Sequence, residues 1–286
     1  MGGPRRDDDE GDAGTLYLCA TPIGNLEDVT LRVLSTLKTV AVVAAEDTRR
    51  TRRLFSAYDI HTRMVSYREE NRERVGASLV ERLEGGEDVA LVSDAGMPGI
   101  SDPGQHLVAL CVERGIRVEA LPGASAALAA LVVSGLPTGR FAFEGFLPRK
   151  AGARKRALEA LAADERTIIF YESPARVEET LRDMADVLGE RRIALARELT
   201  KRFEQVLRGT VGEVVARLEE TPARGEIVIV VEGSGGAGPA MSMDEAVRRV
   251  GALREKGLSL KEAVTIVAER GSRISRSELY NTVLRT

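Results

Sequence analysis

The sequence has 286 residues, of which 43% are hydrophobic and 30% charged, enough for a buried core and a charged surface. No apolar run approaches the roughly 20 residues of a membrane-spanning helix. The charged, glycine-rich segment 1–14 lacks the apolar stretch of a secretory signal, and we expect a disordered tail there. Cys19 and Cys111 lie in apolar runs, so we expect both to be buried free thiols of a protein in a reducing cytoplasm. Because the sequence has only two histidines and no paired cysteines, a metal site is not expected.

Short apolar runs alternate with helical patterns through the first part of the chain. The runs predict strands at 16–20, 40–45, 89–92 and 117–121. Helical spacing and composition predict helices at 30–37, 70–84, 105–114 and 124–134, and Gly85-Gly86 ends the second of them. Because a strand, a turn and a helix recur four times in this order, the sequence predicts a parallel sheet covered by helices.

The second part of the chain has strands and a core of its own. Strands are predicted at 167–170, 193–196 and 227–231, and helices at 153–162, 174–188 and 211–219. We therefore expect two α/β domains, 15–123 and 124–235, with the boundary near 123–126. A Gly/Pro-rich linker at 233–239 precedes a helical segment, 243–286, whose three short helices suit a helix-turn-helix or, equally, an interdomain or dimer-packing bundle.

The segment 93–104 is the most unusual loop of the sequence. It follows an apolar strand, and within it the tetrad Ser-Asp-small-Gly occurs twice, at 93–96 and 101–104. Such turns leave backbone amides and carbonyls available to a ligand, and open α/β sheets bind ligands at the carboxyl ends of their strands. The sequence therefore predicts a small-molecule pocket at this loop.

Acidic and turn-forming residues follow almost every predicted strand. Since parallel strands end along one edge of a sheet, these residues should line one cleft between the two domains. Singly, each has an ordinary explanation: Asp94 as a turn cap, Glu46 and Asp47 as caps of a helix that begins near Thr48, and Tyr171 as a core residue. The residues in question are Pro22, Asn25, Glu46, Asp47, Asp94, Ser125, Glu172 and Glu198.

Several common catalytic signatures are absent from the sequence. It contains no Gly-x-Gly-x-x-Gly after the first strand, no Gly-Lys-Ser/Thr phosphate loop and no Gly-x-Ser-x-Gly. The remaining expectation is a reaction whose difficult chemistry is carried by a bound cofactor.

Two clusters of basic residues stand out although the net charge is −3, which argues against a general nucleic-acid coat. On a helix, positions 49, 52 and 53 share a face and would make a compact anion-binding patch. Solvated helix faces are an equally good explanation of such charge runs. The clusters are Arg49, Arg50, Arg52 and Arg53, and Arg149, Lys150, Arg154, Lys155 and Arg156.

A series of motifs in order over 15–235 resembles the tetrapyrrole methylase superfamily, the class III S-adenosylmethionine-dependent methyltransferases. Within it, the sequence is most similar to the branch that methylates small-subunit ribosomal RNA. The helical segment at 243–286 resembles that branch's C-terminal helix-turn-helix extension. The motifs are Ala20-Thr21-Pro22-Ile23-Gly24-Asn25-Leu26, Ala45-Glu46-Asp47-Thr48-Arg49, Val92–Gly104, Leu121-Pro122-Gly123, Phe143-Glu144-Gly145-Phe146, Phe170-Tyr171-Glu172-Ser173-Pro174 and Arg197-Glu198-Leu199-Thr200-Lys201.

The resemblance implies a two-domain α/β fold with mostly parallel sheets, a homodimer, and 2′-O-methylation of a cytidine in 16S ribosomal RNA. After Ser66-Tyr67 the family usually shows His-Glu-His-Asn, whereas this chain has Arg-Glu-Glu-Asn, so no histidine there carries a role. The residues that the resemblance assigns to S-adenosylmethionine are Pro22, Ser93, Asp94, Ala95, Gly96, Ile100, Ser125, Ala126, Tyr171, Glu172 and Leu199.

A ribose 2′-OH is a weak nucleophile whose proton must be removed or oriented during attack. Among Glu46, Asp47, Glu198 and Lys201, we favour Asp47 as base or orienter and Lys201 as the group that holds the oxygen or a phosphate. Two other functions stay open: a superfamily methyltransferase acting on a tetrapyrrole or a protein side chain, and a non-catalytic RNA-binding assembly factor. The residues expected to bind RNA phosphates are Arg49, Arg50, Arg52, Arg53, Arg149, Lys150, Arg154 and Lys155.

Overall fold

The structure is a computed structural model that describes residues 13–220, 225–234, 243–255, 257–269 and 275–285. Its contacts divide the chain into two compact units. Unit 1 is Met1–Ala129 together with Glu198–Glu204, and unit 2 is Ala130–Arg197 together with Gln205–Thr286. The sequence had suggested a division near 123–126 and assigned the segment 198–204 to the second domain.

Unit 1 is organised by a five-stranded sheet in which every strand pair is parallel, as predicted. The spatial order is β3-β2-β4-β1-β5, and apolar layers cover both faces. Its strands are β1 (Leu16–Cys19), β2 (Val42–Ala45), β3 (Met64–Ser66), β4 (Val89–Val92) and β5 (Val118–Leu121). Its helices are α1 (Leu31–Thr39), α2 (Thr48–Ala57), α3 (Arg72–Glu84), α4 (Gly104–Glu113) and α5 (Ala126–Ser134), the last of which continues into unit 2.

The strand order decides which loops become neighbours. Strand β4 lies between β2 and β1, with Leu91 beside Ala44 on one side and beside Leu18 on the other. Because all three strands run in the same direction, the loops that follow them emerge side by side at one edge of the sheet. This edge is where open α/β sheets bind ligands.

Unit 2 contains a second five-stranded sheet, of order β6-β7-β10-β8-β9. The prediction of a mostly parallel sheet is wrong here, since β6 and β7 are parallel but the other three pairs are antiparallel. The strands are β6 (Phe141–Phe146), β7 (Thr167–Glu172), β8 (Arg192–Arg197), β9 (Gln205–Thr210) and β10 (Ile227–Val231), and the helices are α6 (Ala151–Ala160), α7 (Val177–Leu188) and α8 (Val211–Glu220).

The error has a physical cause. Strand β10 is buried along its whole length, and such a strand reads as a continuous apolar run whichever way its neighbours point. Strands β3, β6 and β9 were not predicted from the sequence either. All three are edge strands in which polar or exposed positions interrupt the apolar pattern.

The three helices predicted near the end of the chain are confirmed within the described residues. They are α9 (Met243–Glu255), α10 (Leu260–Glu269) and α11 (Arg276–Arg285), and they share a small apolar core. Predicted features at 235–239, Gly271 and Ile274 lie outside the described residues, as does 1–12 of the expected tail. Gly14, the last residue of that tail, is held by its N–H, which donates to the carbonyl of Leu83. Of the helices in the described parts of the chain, none is long and apolar enough to cross a membrane.

Candidate functional site

The turn after β4 is hydrogen-bonded to the segment that follows β1. Thr21 and Gly96 exchange two backbone hydrogen bonds of 2.9 and 3.0 Å, and the Thr21 hydroxyl donates to the carbonyl of Ser93 at 3.1 Å. Gly96 has a φ of +81°, and a Cβ there would lie 3.3 Å from the carbonyl oxygen of Ala124. The first tetrad therefore brings the predicted residues at 93–96, Pro22 and the start of α5 close together.

Asp94 connects this turn to the end of β2. Its Oδ1 accepts the backbone N–H of Asp47 at 2.9 Å, and its Oδ2 lies 3.5 Å from the guanidinium of Arg50. The N–H of Asp94 donates to Glu46 Oε2 at 3.3 Å. Asp94 is thus not a local turn cap. The expected meeting of acidic residues from neighbouring strand ends is observed for Glu46, Asp47 and Asp94.

The second tetrad, at 101–104, stabilises its own loop. The carboxylate of Asp102 accepts the N–H of Gly99 at 2.9 Å and the N–H of Gly104 at 2.7 Å, and so fixes the loop at the start of α4. Burial raises the pKa of Asp102. Ile100, a predicted cofactor contact, lies in this loop with 44% of its surface exposed.

The segment Glu198–Glu204 adds a cation to unit 1. Lys201 Nζ lies 2.8 Å from Glu198 Oε1, and the Lys201 side chain passes so close to Gly24 that a Cβ there would be 2.5 Å from Lys201 Cγ. The N–H of Asn25 donates to the hydroxyl of Thr200 at 3.1 Å. This pairing was not predicted from the sequence, because 175 positions separate the partners and neither position belongs to a periodic pattern.

The two acidic residues that follow β2 differ in their affinity for a proton. Burial raises the pKa of Glu46, and the Asp94 carboxylate raises it further. Hydrogen bonds from Arg49 lower the pKa of Asp47 to about 2. Asp47 is also the cap of α2, since its Oδ1 accepts the N–H of Arg49 at 2.8 Å. Of the two carboxylates, Glu46 is the stronger base.

The arginines of α2 lie on the exposed side of the helix, whose other side buries Thr51, Leu54 and Phe55. Arg49 pairs with Asp47 at 3.0 Å, and Arg50 faces Asp94. Arg52 and Arg53 are exposed and form no salt bridge with a described residue. Together these four arginines, here termed the α2 cluster, form a basic surface beside the acidic strand ends.

The second basic cluster is largely structural, and the prediction that Arg154 binds RNA is wrong. Arg154 is fully buried, with its guanidinium 2.7 Å from Asp183 and 2.8 Å from Glu179. Lys155 pairs with Asp183 at 3.3 Å and with Asp186 at 2.7 Å. Arg154 faces inward because α6 packs on α7, a contact that no charge pattern reveals. Arg149 and Lys150 are exposed.

Two further predicted cofactor contacts, Tyr171 and Glu172, lie in unit 2, whereas Leu199 is buried in the segment 198–204 of unit 1. Glu172 is buried, and its carboxylate accepts the Thr180 hydroxyl and the Ser173 N–H, each at 2.7 Å. These bonds fix the beginning of α7. The Tyr171 ring meets Phe143 edge to face, at 4.8 Å between centroids.

The described residues contain no group of three or more histidines, cysteines or acidic residues that could hold a metal ion.

Comparison with known proteins defines the class first. The family profile described as Tetrapyrrole (Corrin/Porphyrin) Methylases matches residues 15–215. The fold resembles that of cobalt precorrin-4 methyltransferase, with a TM-score of 0.58 and 17% identity over 76% of this chain and 94% of that one. It also resembles uroporphyrin-III C-methyl transferase from Thermus thermophilus, solved with S-adenyl homocysteine, with a TM-score of 0.55 and 21% identity over 77% and 97% of the chains.

Sequence comparison narrows the class. Ribosomal RNA small subunit methyltransferase I of Halalkalibacterium halodurans is 48% identical over 278 residues, which cover 94% of each chain. The protein of that name from Escherichia coli O157:H7 is 44% identical over 274 residues, or 95% of each chain. The chain belongs to the tetrapyrrole methylases and, among them, to the family of ribosomal RNA small subunit methyltransferase I. The resemblance drawn from its motifs is confirmed.

Proposed function

We propose that the protein methylates the 2′-oxygen of a cytidine in 16S ribosomal RNA, with S-adenosylmethionine as the methyl donor. The observation that carries this proposal is the junction of the Ser93–Gly96 turn, the acidic strand ends and the exposed α2 cluster within one unit. Relatives named as small-subunit ribosomal RNA methyltransferases match almost the whole chain, which supports the substrate class. A small acceptor such as a tetrapyrrole gives no reason for an exposed row of arginines.

The sheet edge fits an adenosyl cofactor. Gly96 has a φ of +81°, which residues with a side chain rarely adopt, so this position adds no side chain to the edge, while Asp94 and Glu46 supply carboxylates suited to ribose hydroxyls or a positive charge. When bound, the cofactor would supply an electrophilic methyl group for in-line displacement. The residues of unit 1 proposed to hold it are Pro22, Ser93, Asp94, Ala95, Gly96, Ile100, Ser125, Ala126 and Leu199.

Glu46 and Asp47 take different roles in this proposal. Glu46 accepts the proton of the ribose hydroxyl, because its raised pKa makes it the better base at the sheet edge. Asp47, with a pKa of about 2, holds the first turn of α2 and Arg49 in place. Asp47, which we favoured as the base from the sequence, is therefore proposed to be a positioning residue.

Lys201 completes the polar groups of unit 1. Its ammonium lies beside Glu198, and its stem is held over Gly24 by close packing. A fixed ammonium there would hold the acceptor oxygen or the adjoining phosphate, since ammonium groups bind phosphates as compact point charges. The remaining phosphates near this edge would contact the α2 cluster. In unit 2, the exposed Arg149 and Lys150 are separately proposed to bind RNA phosphates.

An enzyme with this substrate would work in the cytoplasm, where ribosomal subunits are assembled.

We also propose that the protein is a homodimer. Exposed apolar side chains on helix α5 support a self-associating surface, since Leu128 is 50% exposed, Val132 70% and Val133 37%. Light scattering on the full chain, compared with its Val132→Glu variant, would show a dimer that the substitution converts to monomer.

The proposed function is tested by incubating the protein with labelled S-adenosylmethionine and unmodified small ribosomal subunits, and then mapping the modified nucleotide. We expect one labelled cytidine in 16S RNA whose ribose linkage resists alkaline cleavage. Label in a protein or a tetrapyrrole would indicate another superfamily activity. Binding of both ligands without any label transfer would indicate an assembly factor.

A further inference from the structure

Unit 1 has a second concave surface, at the opposite end of α2 from Asp47. It is a cavity of ≈ 240 Å³ between the last turns of the helix, the following turn and strand β3. Sites for drug-sized ligands measure about 300–1,000 Å³, so this cavity suits a single ring rather than a whole cofactor. We call it the α2 pocket, and one carboxylate, that of Asp59, lies among its lining residues. The lining residues are Arg52, Phe55, Ser56, Asp59, Ile60, His61, Thr62 and Met64.

The lining combines an apolar base with a polar rim. Phe55 and Ile60 are each 4% exposed, and Met64 is partly buried. At the rim, Arg52 has no salt bridge with a described residue, and the His61 side chain is 84% exposed. His61 pairs with Asp59 at 2.9 Å, but an exposed pair of this kind holds the ring only weakly.

This composition matches the chemistry of a nucleotide. Proteins bind unpaired RNA bases by stacking them on aromatic rings or guanidinium planes and by holding the phosphates with cations. The base would enter above Phe55 and Ile60, the His61 ring would cover it, and Arg52 would bind its phosphate.

The position of the pocket connects it to the proposed reaction centre. Helix α2 has 10 residues and, at about 1.5 Å per residue, extends about 15 Å from its cap at Asp47. Arg49 and Arg52 lie along the exposed side between the two ends. A strand with its acceptor ribose near Glu46 would place its phosphates along these arginines and bring a flanking nucleotide to the pocket.

We propose that the α2 pocket binds the base of a nucleotide that flanks the methylated cytidine and thereby sets the register of the RNA. The inference rests on the proposed function, because it needs an RNA strand at the sheet edge. It predicts that one flanking base, and no other, is energetically coupled to the pocket.

The test is a double-mutant cycle between protein and RNA. Flanking nucleotides around the mapped cytidine are made abasic one at a time, and kcat/KM is measured with the RNA or reconstituted subunit that the enzyme methylates. For the wild type we expect a loss of about tenfold at one position. Ser56→Trp, which fills the pocket without changing charge, should lower activity on intact RNA by a similar factor and abolish the abasic penalty at that position.

Arg53→Glu is the matched control, since Arg53 lies on the same helix but not in the pocket lining. It should weaken every RNA alike and keep the abasic penalty. An unchanged penalty in Ser56→Trp would overturn the pocket while leaving the function intact. If the wild type methylates no RNA, the proposed function itself fails.

Discussion

Two clusters of arginines and carboxylates, one in each unit, look alike in sequence and differ in the structure. In unit 1 the α2 cluster lies exposed beside Glu46, Asp47 and Asp94. In unit 2 Arg154 is buried with Asp183 and Glu179 between two helices. Exposed ion pairs contribute little to the free energy of unfolding, so the α2 cluster is available for function. Removal of one partner from a buried ion pair is strongly destabilising, so the Arg154 cluster stabilises the fold.

The largest expected effect comes from the buried cluster. Arg154→Met removes the buried guanidinium and leaves the Asp183 carboxylate with only the half-exposed Lys155 as a charged partner, so the free energy of unfolding should fall by about 3 kcal/mol. Urea unfolding measures it, with the exposed Arg149→Met as control. A loss of less than about 1 kcal/mol would show that the network contributes nothing and would remove the contrast between the clusters.

Next in size is the effect of the proposed base. Glu46→Gln should slow single-turnover methyl transfer about 100-fold or more, with stability unchanged. Because the pKa of Glu46 is raised, the wild-type rate should fall on acidification at a pH above the ordinary range of glutamate. The variant should lack this acidic limb. A wild-type rate in Glu46→Gln would exclude Glu46 from the chemical step.

The exposed arginines should change RNA binding without changing the fold. Reversing Arg49 and Arg52 to Glu should weaken RNA binding 10- to 100-fold and lower its salt dependence, whose slope is about 0.7–0.9 per phosphate contact. Affinity for S-adenosylmethionine and the unfolding curve should not move. Arg74→Glu, an exposed reversal on α3, provides the comparison. Equal losses in both variants would make the cluster an ordinary solvated face.

The smallest effect is expected at Asp47. Asparagine still caps α2 but no longer forms an ion pair with the Arg49 side chain. Because the Arg49 guanidinium is then available to an RNA phosphate, Asp47→Asn should raise RNA affinity about twofold at low salt. Single-turnover rates should stay within a fewfold of wild type. A 100-fold slower chemical step would return Asp47 to the role of base.

The difference between the two clusters also shows which features of the fold and the site could be predicted from the sequence. The parallel sheet, the loop at 93–104 and the strand-end carboxylates followed from local patterns, because apolar runs and turn residues report on their own backbone. The burial of Arg154, the pairing of Thr200 with Asn25 and the direction of β10 depend on residues distant in the chain. Local periodicity carries no information about such partners.

The central claim is that the turn at Asp94 is part of a cofactor site, and calorimetric titration with S-adenosylmethionine tests it most directly. Asp94→Arg places a cation among the groups that would receive the cofactor and breaks the bond to Asp47, so binding should be lost. Glu113→Arg, an exposed reversal at the end of α4, should bind like the wild type. Wild-type affinity in a folded Asp94→Arg variant would contradict the account.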